Sequence, residues 1–240
     1  MFRHTGKTRT LAHNLKIASL LSFVAGMVNV VGFLAVQRLT TNVTGHFAFL
    51  VDEVFRLNFL KALVFFSYIF FFLLGSFVSG VMVEYLQRVN ERYEFIVPVI
   101  AESLILLVVA VYGPAYATRL PDAIACSLLF AMGMQNSLVT KISNAVVRTT
   151  HLTGLFTDLG IELSQLFFYK EAQQKKQLLS SIRLRLTIIS FFFTGGIVGG
   201  VFYNRFNMHV LLVSVVCLLA GIIYDYFKFK VITIARKLKK

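Results

Sequence analysis

Two polar stretches in a mostly apolar chain carry the residue types that could hold a solute. One places Asn42, Thr44, Gly45 and His46 after Asn29, and the other places His151, Thr153 and Gly154 after Gln135 and Asn136. Amides, hydroxyls and imidazoles exchange hydrogen bonds without a fixed charge, so they are cheaper at membrane depth than ionised groups. Each Thr-Gly pair opens a short apolar run with helical character, 44–58 and 153–169. Threonine is a good N-cap, so each helix is expected to start at its Thr, presenting free N–H groups and a partial positive charge. Glycine would allow the backbone to approach a bound group closely. The expectation is a single site where the two helix starts converge on a small polar or anionic solute. Ordinary capping, together with hydrogen bonding between helices, accounts for the same residues.

Other chemistry is thin. Glu53 and Glu162 occupy matching places in the two short runs, and a shielded carboxyl could carry a coupling proton; solvated carboxylates are the plainer reading. Glu102 stands alone in an apolar run near Pro98 and is expected to face the interface. Cys126 and Cys217 sit in separate apolar segments with no C-x-x-C, which suggests buried free thiols and no metal. The chain contains no G-x-S-x-G and no H-E-x-x-H, so no catalytic residue, cofactor or enzymatic activity is expected.

The elements that must hold these residues are membrane helices. The chain of 240 residues is 57% hydrophobic and 15% charged, too apolar for one soluble domain of this length. Six runs, 15–36, 60–84, 95–117, 122–142, 184–203 and 208–227, are each long enough to cross a bilayer. They are continuous rather than alternating, which selects helices over a barrel. The first follows a basic segment without a small-residue cleavage site and is expected to be an uncleaved span. The short runs bearing Asp52, Glu53, Asp158 and Glu162 make poor lipid-facing spans; interfacial, re-entrant and shielded crossing placements all fit. The fold class is therefore an all-α integral membrane protein of about six spans plus two shorter helices, in one membrane domain, 1–240.

The net charge of +13 invites a nucleic-acid reading, but the basic residues gather at span ends, so lipid is the expected partner. With six crossings and the N-terminus inside, all Lys and Arg fall on the cytoplasmic side except Arg38, Arg56, Lys61, Arg119 and Arg205. The asymmetry favours cytoplasmic termini, whether the short helices cross or not.

The chain also repeats itself. G-M-V-N at 26–29 is answered by G-M-Q-N at 133–136, and N-V-T-G at 42–45 by H-L-T-G at 151–154. F-F-L-L-G-S-F-V-S-G-V from Phe71 is answered by F-F-F-T-G-G-I-V-G-G-V from Phe191. The repeats are expected at about 15–117 and 122–227. Three spans per half would invert the second half, a common transporter plan; four would make the halves parallel. The pairs Gly75 and Ser79, Ser76 and Gly80, Gly195 and Gly199, and Gly196 and Gly200 are expected to serve close helix packing.

An early G-x-x-N span followed by T-G-H, then G-x-Q-N and a second T-x-x-T-G segment, resembles the YoaK-like family of small bacterial membrane proteins of unknown function. The resemblance runs from about Leu15 to Phe227 and is carried best by 42–45, 133–136 and 149–154. Asn29 stands where that family usually has Asp, and His46 where it usually has Asn. The resemblance implies a multi-pass bacterial inner-membrane protein and no assigned substrate. Repeat symmetry and polar residues at depth favour a small-solute transporter; a membrane scaffold or accessory subunit is the alternative, and homo-oligomers fit either.

Overall fold

The computed structural model describes residues 10–90 and 93–237, with side chains through Phe227. Arg3, Lys7, Arg9, Arg92, Lys239 and Lys240, used above for topology, lie outside the described residues. Among those described the chain is all-helical: α1 Leu11–Val36, α2 Thr44–Phe55, α3 Phe59–Val89, α4 Ile96–Tyr116, α5 Pro121–Ser143, α6 Leu152–Gln165, α7 Ala172–Phe206 and α8 Leu211–Lys237. Five stretches are long and apolar enough to span a bilayer; the last, Ala172–Phe227, combines the fifth and sixth expected spans. It breaks at a short 3-10 turn, Asn207–Val210, where Asn207 takes a φ of 51°.

α1 and α5 are the buried centre, whereas α3 turns Leu63, Phe66, Phe70, Leu73 and Phe77 outward, as a lipid-facing helix would. Around the centre, α1 packs on α5, α5 on α4, α4 on α8 and α8 on α1; α7 and α3 flank this ring against α1 and α5. The flanking pairs approach to backbone contact. A Cβ on Gly26 would meet the Phe192 carbonyl oxygen at 1.9 Å, and one on Gly195 would meet that of Phe23 at 2.0 Å. The same reciprocity joins Gly75 to Phe130 at 2.0 Å and Gly133 to Phe72 at 2.1 Å. Without glycine at these four positions, no side chain would fit between the helices.

The contacts also fix directions. Along α3 and α5, Ser67 meets Cys126, Ser76 meets Gly133 and Glu84 meets Lys141, so these helices run parallel. α1 and α7 advance together as well, from Gly26 against Phe192 to Val31 against Gly199. α1 and α5 oppose each other, because Gly32 faces Leu128 while the Leu21 carbonyl receives Gln135. α8 returns towards the start of α1, where Lys16 Nζ donates to Tyr224 Oη at 3.0 Å.

Candidate functional site

The two polar stretches double back on the helices that precede them. α1 ends on Gln37, left-handed at φ 54°, and α5 on Asn144 and Ala145, left-handed at 52° and 62°. A left-handed residue after a helix turns the chain sharply. After α1, Thr40 Oγ1 donates to the Val28 carbonyl at 3.1 Å and Thr41 Oγ1 to Asn29 Oδ1 at 2.7 Å. Val28 lies about 12 Å back along the helix from Val36 at 1.5 Å per residue. After α5, Thr150 Oγ1 donates to Asn136 Oδ1 at 3.1 Å, and Gln135 Nε2 donates to Thr149 Oγ1 at 3.1 Å and to Leu21 O at 3.0 Å. Asn29, Gln135 and Asn136 thus hold each returning segment on its own helix.

Because α1 and α5 are antiparallel, the segments return from opposite ends. Asn136 lies at the level of Leu21, about 12 Å along α1 from Asn29. The structure therefore assembles two polar groups, one around Asn29, Asn42, Gly45 and His46, the other around Gln135, Asn136, His151 and Gly154.

The helix starts differ from the capping expectation. The N-cap of α2 is Val43 and that of α6 is His151, so Thr44 is the first helical residue and Thr153 the second, both exposed. Neither threonine caps its helix through its side chain. Asn42 Oδ1 instead accepts the Gly45 N–H at 3.1 Å. The space beside each glycine is filled by the protein: a Cβ on Gly45 would lie 2.5 Å from Leu39 Cδ1, and one on Gly154 2.4 Å from the His151 ring.

In the first group the imidazole is enclosed. His46 is buried between Phe65 and Tyr68, with ring centroids 6.2 and 4.7 Å away. Its Nε2 lies 2.6 Å from the Leu39 carbonyl, which can only accept, so Nε2 carries the proton. Beside it a latch joins three elements: Arg38 Nε donates to Tyr68 Oη at 3.2 Å and pairs with Asp122 at 3.5 Å, and Tyr68 donates to Asp122. Nothing in the sequence joined these latch residues to one another, since they are far apart and share no motif.

The second group opens on a cleft of about 590 Å³ lined by Arg148, His151, Gly154, Asp158, Ser181 and Arg185, among others. Arg185 binds two carboxylates of α6: Nη1 to Asp158 Oδ2 at 2.8 Å and Nε to Glu162 Oε2 at 2.9 Å. Ser181 Oγ adds a bond to Glu162 Oε1 at 2.6 Å. Arg148 is exposed in the same cleft and makes no ion pair among the described residues. Glu162 is thus held in a fixed pair while its counterpart Glu53, half-exposed on α2, carries none of these partners. The two matching carboxyls occupy different surroundings.

Glu102 departs furthest from expectation. It is completely buried on α4, not at an interface, and neither carboxyl oxygen has a hydrogen-bond partner among the described residues. The lone position reads the same in sequence whichever face of α4 it takes. Both cysteines are free thiols, Cys126 buried and Cys217 partly so, and no trio of His, Cys, Asp or Glu forms a metal site among the described residues.

Residues 17–224 match the family described as "Protein of unknown function (DUF1275)". The chain belongs to that family. It is also 27% identical over 213 residues to the UPF0700 transmembrane protein YoaK of Bacillus subtilis (strain 168), covering 85% of this chain and 91% of that protein. No solved structure matches it. The DUF1275 match takes in both polar groups, the Arg38–Tyr68–Asp122 latch and Glu102. The protein is a multi-pass membrane protein of a family without an assigned function.

Proposed function

We propose that this protein is a secondary transporter of a small polar or anionic solute, which enters through the Arg148 cleft. The observation that carries the reading is the asymmetry between two like segments: one is closed over His46 by the Arg38–Tyr68–Asp122 latch, and the other stands open beside Arg148. A carrier open to one side has one packed and one accessible half-site, and exchanges them by rocking one half against the other. Broken segments that return to membrane depth are the usual means of bringing backbone groups to a solute there. Arg148 supplies an uncommitted positive charge, and its planar guanidinium suits a carboxylate or phosphate group.

The halves act as an inverted repeat. Support comes from the opposed directions of α1 and α5 and from the exchange of partners, α1 with α7 and α5 with α3. Six crossings follow, with both termini in the cytoplasm of a bacterial inner membrane. Arg148, Lys170, Lys175, Lys176 and Arg183 then share the cytoplasmic face, as the positive-inside rule favours.

The test is counterflow of radiolabelled small carboxylates and amino acids into liposomes holding the purified chain. Uptake of at least one compound, lost in Arg148→Gln and retained in Arg183→Gln, is expected. An intact, reconstituted protein that exchanges none of them would favour the accessory-subunit reading.

A further inference from the structure

The four helices of the central ring each bring a buried polar atom without a partner to the middle of the molecule: Ser22 Oγ from α1, the Glu102 carboxyl from α4, Gln135 Oε1 from α5 and Ser214 Oγ from α8. Their depth follows from the ends of each helix. Phe95, just before α4, shares a cleft with Val83 and Lys141, whereas Gly113 meets Met208 at the opposite end. Glu102 stands about 10 Å from the first level and about 16 Å from the second. Ser214 lies between Met208 at that second end and Tyr224, which is bonded to Lys16. Gln135 is bonded at the level of Leu21, next to Ser22.

Serine in a helix ordinarily satisfies itself on the carbonyl four residues back, as Ser103 and Ser127 do here. Ser22 and Ser214 forgo that bond. Unpartnered buried polar groups are rare, and four on the packed helices of one ring call for a common cause. We propose that Glu102 is a proton-binding site of the membrane core, taking up and releasing one proton as carboxylate and carboxylic acid interconvert.

A lone carboxylate in a dry interior is too costly to persist without a cation. The proton is the cation that fits. An alkali ion needs several oxygen ligands and room for itself, whereas Glu102 belongs to no trio of His, Cys, Asp or Glu among the described residues and lines none of the clefts described above. Among the described residues the neighbouring helices offer no permanent counter-charge either. On α5, Asp122 and Lys141 are engaged with α3 residues Tyr68 and Glu84, and Cys126 lies near Ser67. On α8, Cys217 is a free thiol and Asp225 has an interaction of its own; His209 lies in the turn at the far end. The inference deepens the transport reading by naming its coupling ion, but its test uses no solute, so the two can fail separately.

The experiment treats the purified full chain with dicyclohexylcarbodiimide, which reacts with protonated carboxyls in apolar surroundings, and maps the adduct by mass spectrometry. Modification at Glu102 is expected in preference to the exposed carboxyls, equally in sodium and choline buffers, and absent from Glu102→Gln. Infrared spectra should show a carboxylic-acid C=O band that Glu102→Gln removes and Glu102→Asp retains. Should Glu102→Gln not fold, the wild-type adduct and the Glu102→Asp band still decide. Absence of a Glu102 adduct at every pH tested would overturn the proposal. So would protection by sodium, which would make the occupant an alkali ion.

Discussion

A missing side chain decides the closest contacts in this molecule. At Gly26, Gly75, Gly133 and Gly195 a methyl group would land about 2 Å from a carbonyl oxygen on the facing helix, and rigid backbone cannot step aside as a side chain can. Gly160 on α6 has nothing within 4 Å of the same added atom. Gly26→Ala and Gly195→Ala should therefore lose about 1–3 kcal/mol or more through overpacking. Gly160→Ala should be neutral or gain up to about 1 kcal/mol from helix propensity. Thermal unfolding in detergent, followed by circular dichroism, measures both; equal midpoints for the two classes would sink the packing account. The small-residue pattern at Gly75 and Gly195 was legible in the sequence as a packing face. That it meets Gly133 and Gly26 was not, because a glycine in a G-x-x-N segment carries no sign of its partner.

Among elements, the turns after α1 and α5 do most to shape the two polar groups. Left-handed Gln37 and Asn144 redirect the chain, and the threonines that follow find acceptors on Val28, Asn29 and Asn136. Sequence reasoning recognised these runs as polar and the following helices as short. A re-entrant placement was one of three that fitted, and the residue types could not choose it, since Thr and Asn suit a surface loop as well as a buried hydrogen bond. The latch on the first segment offers an element-scale test. Tyr68→Phe removes the hydroxyl that links Arg38 to Asp122 while keeping the ring against His46. Cys126, one turn further along α5, is buried in the latched form and touches Ser67. In a Cys217→Ser background, Tyr68→Phe is expected to raise the rate of maleimide labelling at Cys126 several-fold. An unchanged rate would mean the latch does not hold this end closed.

At the scale of the whole molecule, the pairing of each half's first long helix with the other half's long flanking helix makes the two halves interdependent. Neither half could bury its glycine faces alone, because Gly26 needs Phe192 and Gly133 needs Phe72, each contact drawing on a surface that faces lipid or nothing if its partner helix is removed. The direction of the helices then makes a topological prediction. α1, α4 and α7 run one way and α3, α5 and α8 the other, as follows from Gly113 against Met208, Lys16 against Tyr224 and the parallel glycine contacts. The turns that contain Arg56 and Arg119 should consequently share one side of the membrane, and Lys170 should lie on the opposite side with the basic cluster around α6 and α7. Single cysteines at these three positions, in a background lacking Cys126 and Cys217, can be probed in intact cells with a membrane-impermeant maleimide. Arg56→Cys and Arg119→Cys are expected to label from outside, and Lys170→Cys only after the membrane is opened. If the short helices crossed the bilayer, Arg56 and Arg119 would both move to the cytoplasmic side, and neither turn would label in intact cells. That pattern would replace six crossings by eight and make the halves parallel, so one pair of cysteines decides between the architectures.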